Sequence, residues 1–237
     1  AVLGQLATGI THELTQPLGA IRTLSGNALE FLKRGDMKTL SGNLGIIARL
    51  ADQMGSIIHP LKGFARKSEP VPARTDVAVA LGNALFLFGL RLRKEQVEVV
   101  NLCEPGAVVA WCDANRLEQV LINLIGNAID AMADSPVKTL TLAADYEAPE
   151  PGDMVERWAR IDVIDSGAGL DATTLAHLFE PFFTTKTQGA GLGLGLAISR
   201  DIAREFGGDI VAHGHADGGA CFSLRLPAAA SVQETVT

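Results

Sequence analysis

Basic residues are the minority in this chain. Twenty Lys and Arg stand against 27 Asp and Glu, a formal net charge of -7 over 237 residues. Nucleic-acid binding without sequence preference needs a basic surface that releases phosphate counterions, so the charge balance excludes that class. Cysteine is scarce: Cys103, Cys112 and Cys221 are odd in number and show no CxxC spacing. They exclude a disulfide or zinc framework and read as reduced core thiols of a cytoplasmic compartment. No run approaches the ~18 uncharged apolar residues of a membrane span. The longest, Val77 to Leu90, is broken by Gly82 and Asn83. Internal repeats are missing too. His59, His177, His213 and His215 lack the spacing to a second His, Cys or carboxylate that a metal site requires.

What remains is the composition of an ordinary globular protein, with 47% apolar and 20% charged residues, long enough for one large domain or two modest ones. The first third is helical by periodicity. Residues 1–34 carry apolar positions at Ile10, Leu14, Leu18, Ile21, Ala28 and Leu32. The chain opens inside this pattern, as a fragment of something longer would. Gly35-Asp36 is a turn. The second helix sets Leu40, Leu44, Ile47, Ala51, Met54, Ile58 and Leu61 at alternating spacings of four and three, widened by Ile46, Leu50, Ile57 and Phe64. A stripe that broad on two helices needs partners, and dimerisation into a four-helix bundle supplies them.

The proline-containing stretch 68–75 reads as a linker, separating a hairpin at 1–67 from a domain at 76–228 and a tail at 229–237. In the second domain helices are predicted at 77–94, 114–132, 172–178 and 193–206. Strands are predicted at 97–102, 107–112, 138–146, 155–164, 209–213 and 220–226. The fold class is therefore α+β: a helical hairpin followed by an α/β sandwich with one mixed sheet. Pro149 to Asp153 is a hairpin loop between two strands.

His12 is two residues from both Ile10 and Leu14, so it points about 200° away from the apolar stripe. Glu13 adjoins it, and Gln16 lies one turn along on the same face. Pro17, inside the helix, costs about 3 kcal/mol and predicts a bend just after the histidine. A neutral imidazole is a nucleophile near pH 7, and the neighbouring carboxylate can accept its proton. Taken alone, the pair also reads as a solvated surface pair.

In the second domain Asn123 and Asn127 share one face of a helix whose other face carries Leu117, Val120, Leu121, Leu124 and Ala128. An amide oxygen is a hard neutral ligand suited to magnesium that bridges phosphates; two hydrogen-bonded or exposed amides are the alternative. Asp165 ends an apolar strand and enters Ser-Gly-Ala-Gly169. There its carboxylate can accept from an adenine amino group while Gly167 and Gly169 let the backbone approach the ring, or it simply ends the strand at a turn. Gly189 to Gly195 alternates glycine with other residues, which aims backbone N–H groups at phosphate oxygens beside a helix N-terminus. Its spacing fits neither GxxxxGK[ST] nor a Rossmann fingerprint. The three segments in this order describe a pocket for ATP and magnesium.

Together these segments resemble the sensor histidine kinases of two-component systems, whose ATP domain belongs to the group shared with gyrase B, Hsp90 and MutL. His12 to Leu18 resembles the phosphoacceptor box, and Leu121 to Asp130 the asparagine box. That likeness implies Asn127 as the magnesium ligand, Asn123 as a phosphate or metal-water contact, and Asp130 as part of the pocket. Asp165 to Gly169 is similar to the first glycine box, with Asp165 as the adenine reader. Leu178 to Lys186 is similar to the phenylalanine box, placing Thr185 and Lys186 at a lid over the phosphates. Gly191, Leu192, Gly193, Leu194 and Gly195 match the second glycine box, and Gly218 to Pro227 the closing strand. The variant around His12, with Phe64 to Lys67, resembles the subgroup that includes the C4-dicarboxylate sensors.

The resemblance implies a homodimeric autokinase that phosphorylates His12 with assistance from Glu13. The phosphoryl group then passes to an aspartate on a response-regulator receiver. Gln16 stands where many relatives place an Asn or Thr that positions water to dephosphorylate the regulator. The full-length protein is expected to be attached to the inner membrane or fused to a sensor domain, with this part in the cytoplasm. The rival readings are an ATP-driven clamp of the gyrase/Hsp90 kind, without phosphohistidine, and a scaffold that has lost activity. The clamp gives His12, Glu13 and Pro17 no role, and the intact motifs argue against the scaffold.

Overall fold

A computed structural model describes residues 2–65, 70–185, 193–215 and 218–229, with side chains described from Thr15 onward except at 52–53 and 56–65. The chain separates into two compact units, Ala1–Lys67 with Thr184–Leu194, and Ser68–Phe183 with Gly195–Thr237.

In the first unit, α1 (Val2–Lys33) and α2 (Met37–Ala65) pack as a hairpin. Pro17 lies inside α1 and does not end it. Gly35 turns the chain at φ +71°, where an L side chain would be strained. Asp36 then caps α2: its Oδ1 accepts from the Thr39 N–H at 3.1 Å and its Oδ2 from the Thr39 hydroxyl at 2.7 Å. These bonds from Thr39 hold the Asp36 carboxyl below its usual range. Only part of the apolar stripe is covered within one chain. Ala28 is buried and Ile21 half-buried, while Leu18, Leu32 and Leu44, all expected core positions, are exposed, as are Leu29 and Met37. The helix–helix seam also contains a polar residue that periodicity did not single out. Asn43 is buried and donates from Nδ2 to the Leu24 carbonyl at 3.0 Å.

The second unit runs β1 (Ala73–Asp76), α3 (Val77–Lys94), β2 (Glu98–Asn101), β3 (Val109–Cys112), α4 (Ala114–Ala131), β4 (Thr139–Glu147), β5 (Trp158–Asp165), α5 (Ala172–His177), α6 (Gly195–Glu205), β6 (Asp209–Gly214) and β7 (Ala220–Pro227). Five strands form a mixed sheet in the order β2-β4-β5-β7-β6, parallel at β2-β4 and antiparallel elsewhere.

Two expectations need correcting. Residues 73–75, read as the end of the linker, are strand. β3, read as part of a single sheet, pairs with β1 in a separate two-stranded sheet. The cause is a side chain as well as the ladder, since the buried Thr75 hydroxyl donates to the Cys112 carbonyl at 2.8 Å. The helix expected at 193–206 begins at Gly195.

Aspartates start α3, α4 and α5. Asp76 accepts from the Ala78 N–H at 2.9 Å, Asp113 from Arg116 at 3.1 Å and Asp171 from Thr174 at 2.6 Å. α4 and α6 contact each other and pack on the sheet, and α3 packs on α4. Leu117, Leu121, Leu124, Ile125 and Ile129 of α4 meet Leu140, Leu142, Ile161 and Val163 of the strands in a fully buried core. α6 is tied to β6 by Arg200, whose Nε and Nη2 lie 2.7 and 3.0 Å from the Asp209 carboxylate. Burial works to raise that carboxyl, but the bonds from Arg200, the Ile210 N–H and Arg204 outweigh it and pull it down to about 2. Arg200 also lies over the Phe179 ring, 4.6 Å from its centroid.

Candidate functional site

Strand alternation explains how Asp165 reaches the interior. Ala159, Ile161, Val163 and Asp165 occupy the buried positions of β5, so the same period that fills the core delivers a carboxylate to its edge. Asp165 is 3% exposed. Its Oδ1 accepts from the Gly167 N–H at 2.8 Å and from the Ala220 N–H at 3.4 Å. Oδ2 has no hydrogen bond among the described residues. Burial raises the carboxyl above its ordinary value and the two N–H groups oppose the rise without cancelling it. The result is a buried acceptor with one oxygen committed and one available.

The surrounding backbone fits only because side chains are missing. A Cβ on Gly167 would lie 2.6 Å from the Ala131 carbonyl oxygen and 2.7 Å from Asp165 Oδ1. Gly219, at φ +84°, would place a Cβ against the Asp165 carbonyl oxygen. Gly219 was not read as a site residue. Its signal was the Gly218-Gly219 pair at the head of the closing strand, whose partner becomes visible only once β7 lies beside β5. Ser166 fastens the same turn to β4, accepting from the Thr139 N–H at 2.8 Å and donating to the Val137 carbonyl at 2.9 Å.

Asn123 and Asn127 of α4 are both half-buried. Asn123 donates from Nδ2 to the buried Ser199 hydroxyl of α6 at 2.9 Å. Its oxygen lies against Gly195, where a Cβ would collide with it. Asn127 follows one turn later. Asp130 accepts from Arg91 of α3 at 2.5 Å, and the same guanidinium reaches Glu95 at 2.7 Å, so its contact among these is an ion pair between helices. Asp165, Gly167 and Gly169 belong to one turn. Gly169, at φ +79°, lies close to Gly219. Asn123 and Gly195 meet at the start of α6.

Thr185 is exposed, Gly193 has φ +63° and Leu194 is buried. Lys186, Gly191 and Leu192 lie outside the described residues. His12 and Glu13 are within α1, with side chains outside the described set, and Gln16 is exposed on the same helix. Among the described residues no group of three or more His, Cys, Asp or Glu could hold a metal ion, and no helix is long and apolar enough to cross a membrane.

Residues 112–230 match the family described as Histidine kinase-, DNA gyrase B-, and HSP90-like ATPase. The C4-dicarboxylate transport sensor protein DctB of Pseudomonas aeruginosa is 36% identical over 225 residues, covering 94% of this chain and 36% of that protein. The catalytic domain of histidine kinase ThkA is 30% identical, with a TM-score of 0.54 over 66% of this chain and 95% of that one. Histidine kinase ThkA in complex with response regulator protein TrrA has the same fold, at 21% identity and a TM-score of 0.64 over 96% of this chain and 62% of that one. The chain spans 36% and 32% of the length of the first two curated relatives, both DctB proteins. By the match over 112–230, this chain belongs to the family of histidine kinase-, DNA gyrase B- and HSP90-like ATPases.

Proposed function

We propose that this chain is the phosphotransfer part of a two-component sensor kinase, an ATP-dependent protein-histidine kinase that phosphorylates His12. The observation that carries the reading is Asp165, a buried carboxylate with one oxygen held by backbone N–H groups and the other available inside a cradle of glycines. That arrangement suits an adenine: Oδ2 accepts from the exocyclic amino group, and Gly167 and Gly169 let the turn close on Ala131 and Gly219 so that the carboxylate is held in place. The N–H groups of Gly191, Leu192, Gly193, Leu194 and Gly195 are assigned to the phosphates, and Thr185 and Lys186 to the lid over them. Asn127 would hold magnesium, with Asn123 as a second contact, and the ion would supply neutralisation of phosphate charge in a reaction governed by positioning.

His12 attacks the γ-phosphorus, forming an N–P bond as the bond to the ADP oxygen breaks, and Glu13 accepts the imidazole proton. The phosphoryl group then passes to an aspartate of a response-regulator receiver. Gln16 orients a water that hydrolyses the aspartyl phosphate of that regulator, releasing inorganic phosphate. A homodimer is supported by the exposed Leu18, Leu29, Leu32, Met37 and Leu44 of the hairpin. The parts of the protein beyond this chain carry the sensor and any attachment to the inner membrane, leaving this part in the cytoplasm. A clamp of the gyrase/Hsp90 kind would use the same pocket but leaves His12, Glu13 and Pro17 without a task.

Incubation with radiolabelled ATP tests the reading. The parent chain acquires an acid-labile, base-stable label, and His12→Ala binds ATP but stays unlabelled. Label of that kind persisting in His12→Ala would overturn the assignment.

A further inference from the structure

The phosphate end of the site contains a polar contact that no motif predicts. Ser199 is 2% exposed within α6, and its hydroxyl takes the Asn123 Nδ2–H across 76 positions of sequence at 2.9 Å. This bond joins α4 to α6, and with the hydroxyl as acceptor it turns the nitrogen end of the Asn123 amide toward Ser199. The end left beside the first residue of α6 is the oxygen. A Cβ built on Gly195 would approach Asn123 Oδ1 more closely than Nδ2, which lies 3.2 Å from the same point. An oxygen repels phosphate oxygens and attracts a cation or the water bound to one.

We propose that Ser199 is a positioning residue that locks the Asn123 amide with its oxygen toward the start of α6, so that Asn123 serves the metal and not the phosphate. The inference rests on the nucleotide reading above. Removing the Ser199 hydroxyl leaves a half-buried amide N–H without its partner and lets the amide turn its donor end outward. Base recognition at Asp165 belongs to a separate turn and is untouched.

Calorimetric titrations of the parent chain and Ser199→Ala with Mg-ATP, and with ADP in excess chelator, separate these roles. Ser199→Ala is expected to weaken Mg-ATP roughly tenfold, the scale of one lost buried hydrogen bond. Its affinity for metal-free ADP stays at the parent value, while its melting temperature falls with the loss of one buried hydrogen bond between α4 and α6. In an Asn123→Ala background the same substitution adds nothing, because both changes act on one contact. Unchanged Mg-ATP affinity, or equal weakening of both ligands, would overturn the inference. A parent chain that binds neither nucleotide would reject the nucleotide reading and this inference with it.

Discussion

Asp165→Asn isolates one oxygen of the proposed adenine contact. The amide retains an oxygen for the Gly167 and Ala220 N–H groups, at 2.8 and 3.4 Å in the parent, so the turn keeps its anchors. Only the Oδ2 position changes, from a charged acceptor to an N–H donor facing the adenine amino group. Losing a charge-assisted hydrogen bond costs about 1.5–3 kcal/mol, or roughly 10- to 150-fold in ATP affinity. Folding stability should move the other way. A carboxyl whose folded pKa is raised disfavours the native state above that pKa, and the cost is relieved as pH falls and the group protonates. The neutral amide removes the cost at all pH values, so the variant should be at least as stable as the parent at pH 7.

The same direction of shift governs binding. ATP affinity of the parent falls with pH as Asp165 protonates, beginning above the ordinary carboxylate value of 3.8, whereas the variant lacks this limb. Guanine presents a carbonyl oxygen where adenine has its amino group, so the gap between ATP and GTP should narrow. Calorimetric titration with both nucleotides, paired with urea unfolding, reads all of these. Parental ATP affinity in the Asp165→Asn variant would refute the adenine contact.

Two further outcomes test the frame around the site. Gly219→Ala forces a side chain into a left-handed backbone at φ +84° and against the Asp165 carbonyl; a loss of at least ~2 kcal/mol in urea unfolding is expected, and parental stability would contradict the close approach of β7 to β5. Arg200→Met removes the partner that does most to pull the Asp209 carboxyl from 3.8 down to about 2. A depressed carboxyl stabilises above its unfolded pKa and loses that contribution as pH falls through the folded value, here between about pH 4 and 2. With the Asp209 side chain 37% exposed, screening by solvent brings the expected loss at pH 7 to ~1 kcal/mol. Unfolding measured against pH should show the acid limb flatten, and an unchanged limb would remove the ion pair from the account.

Most elements could be read from local pattern, because period and turn chemistry act over a few residues. The alternation that buries Ala159, Ile161 and Val163 also carries Asp165 inward, and the asparagines at 123 and 127 share a helix face by spacing alone. Turn glycines at 35, 167 and 169 were visible for the same reason. The aspartate caps at 36, 76, 113 and 171 were equally local and could have been read, since each stands directly before a helical run.

What resisted reading was pairing across the chain. Gly219 needs β7 beside β5 before its missing side chain has a meaning, and Ser199 needs α6 laid on α4 before it meets Asn123. Thr75 joins the wrong class until β1 finds β3, and Asn43 is a polar residue in an apolar seam until the Leu24 carbonyl faces it. Sequence alone determined which residues form helices, strands and turns, and which of them carry reactive or ligating groups. Tertiary structure decided which distant groups share a hydrogen bond and which backbones come too close for a Cβ, since those depend on strand order and helix packing that no local period encodes.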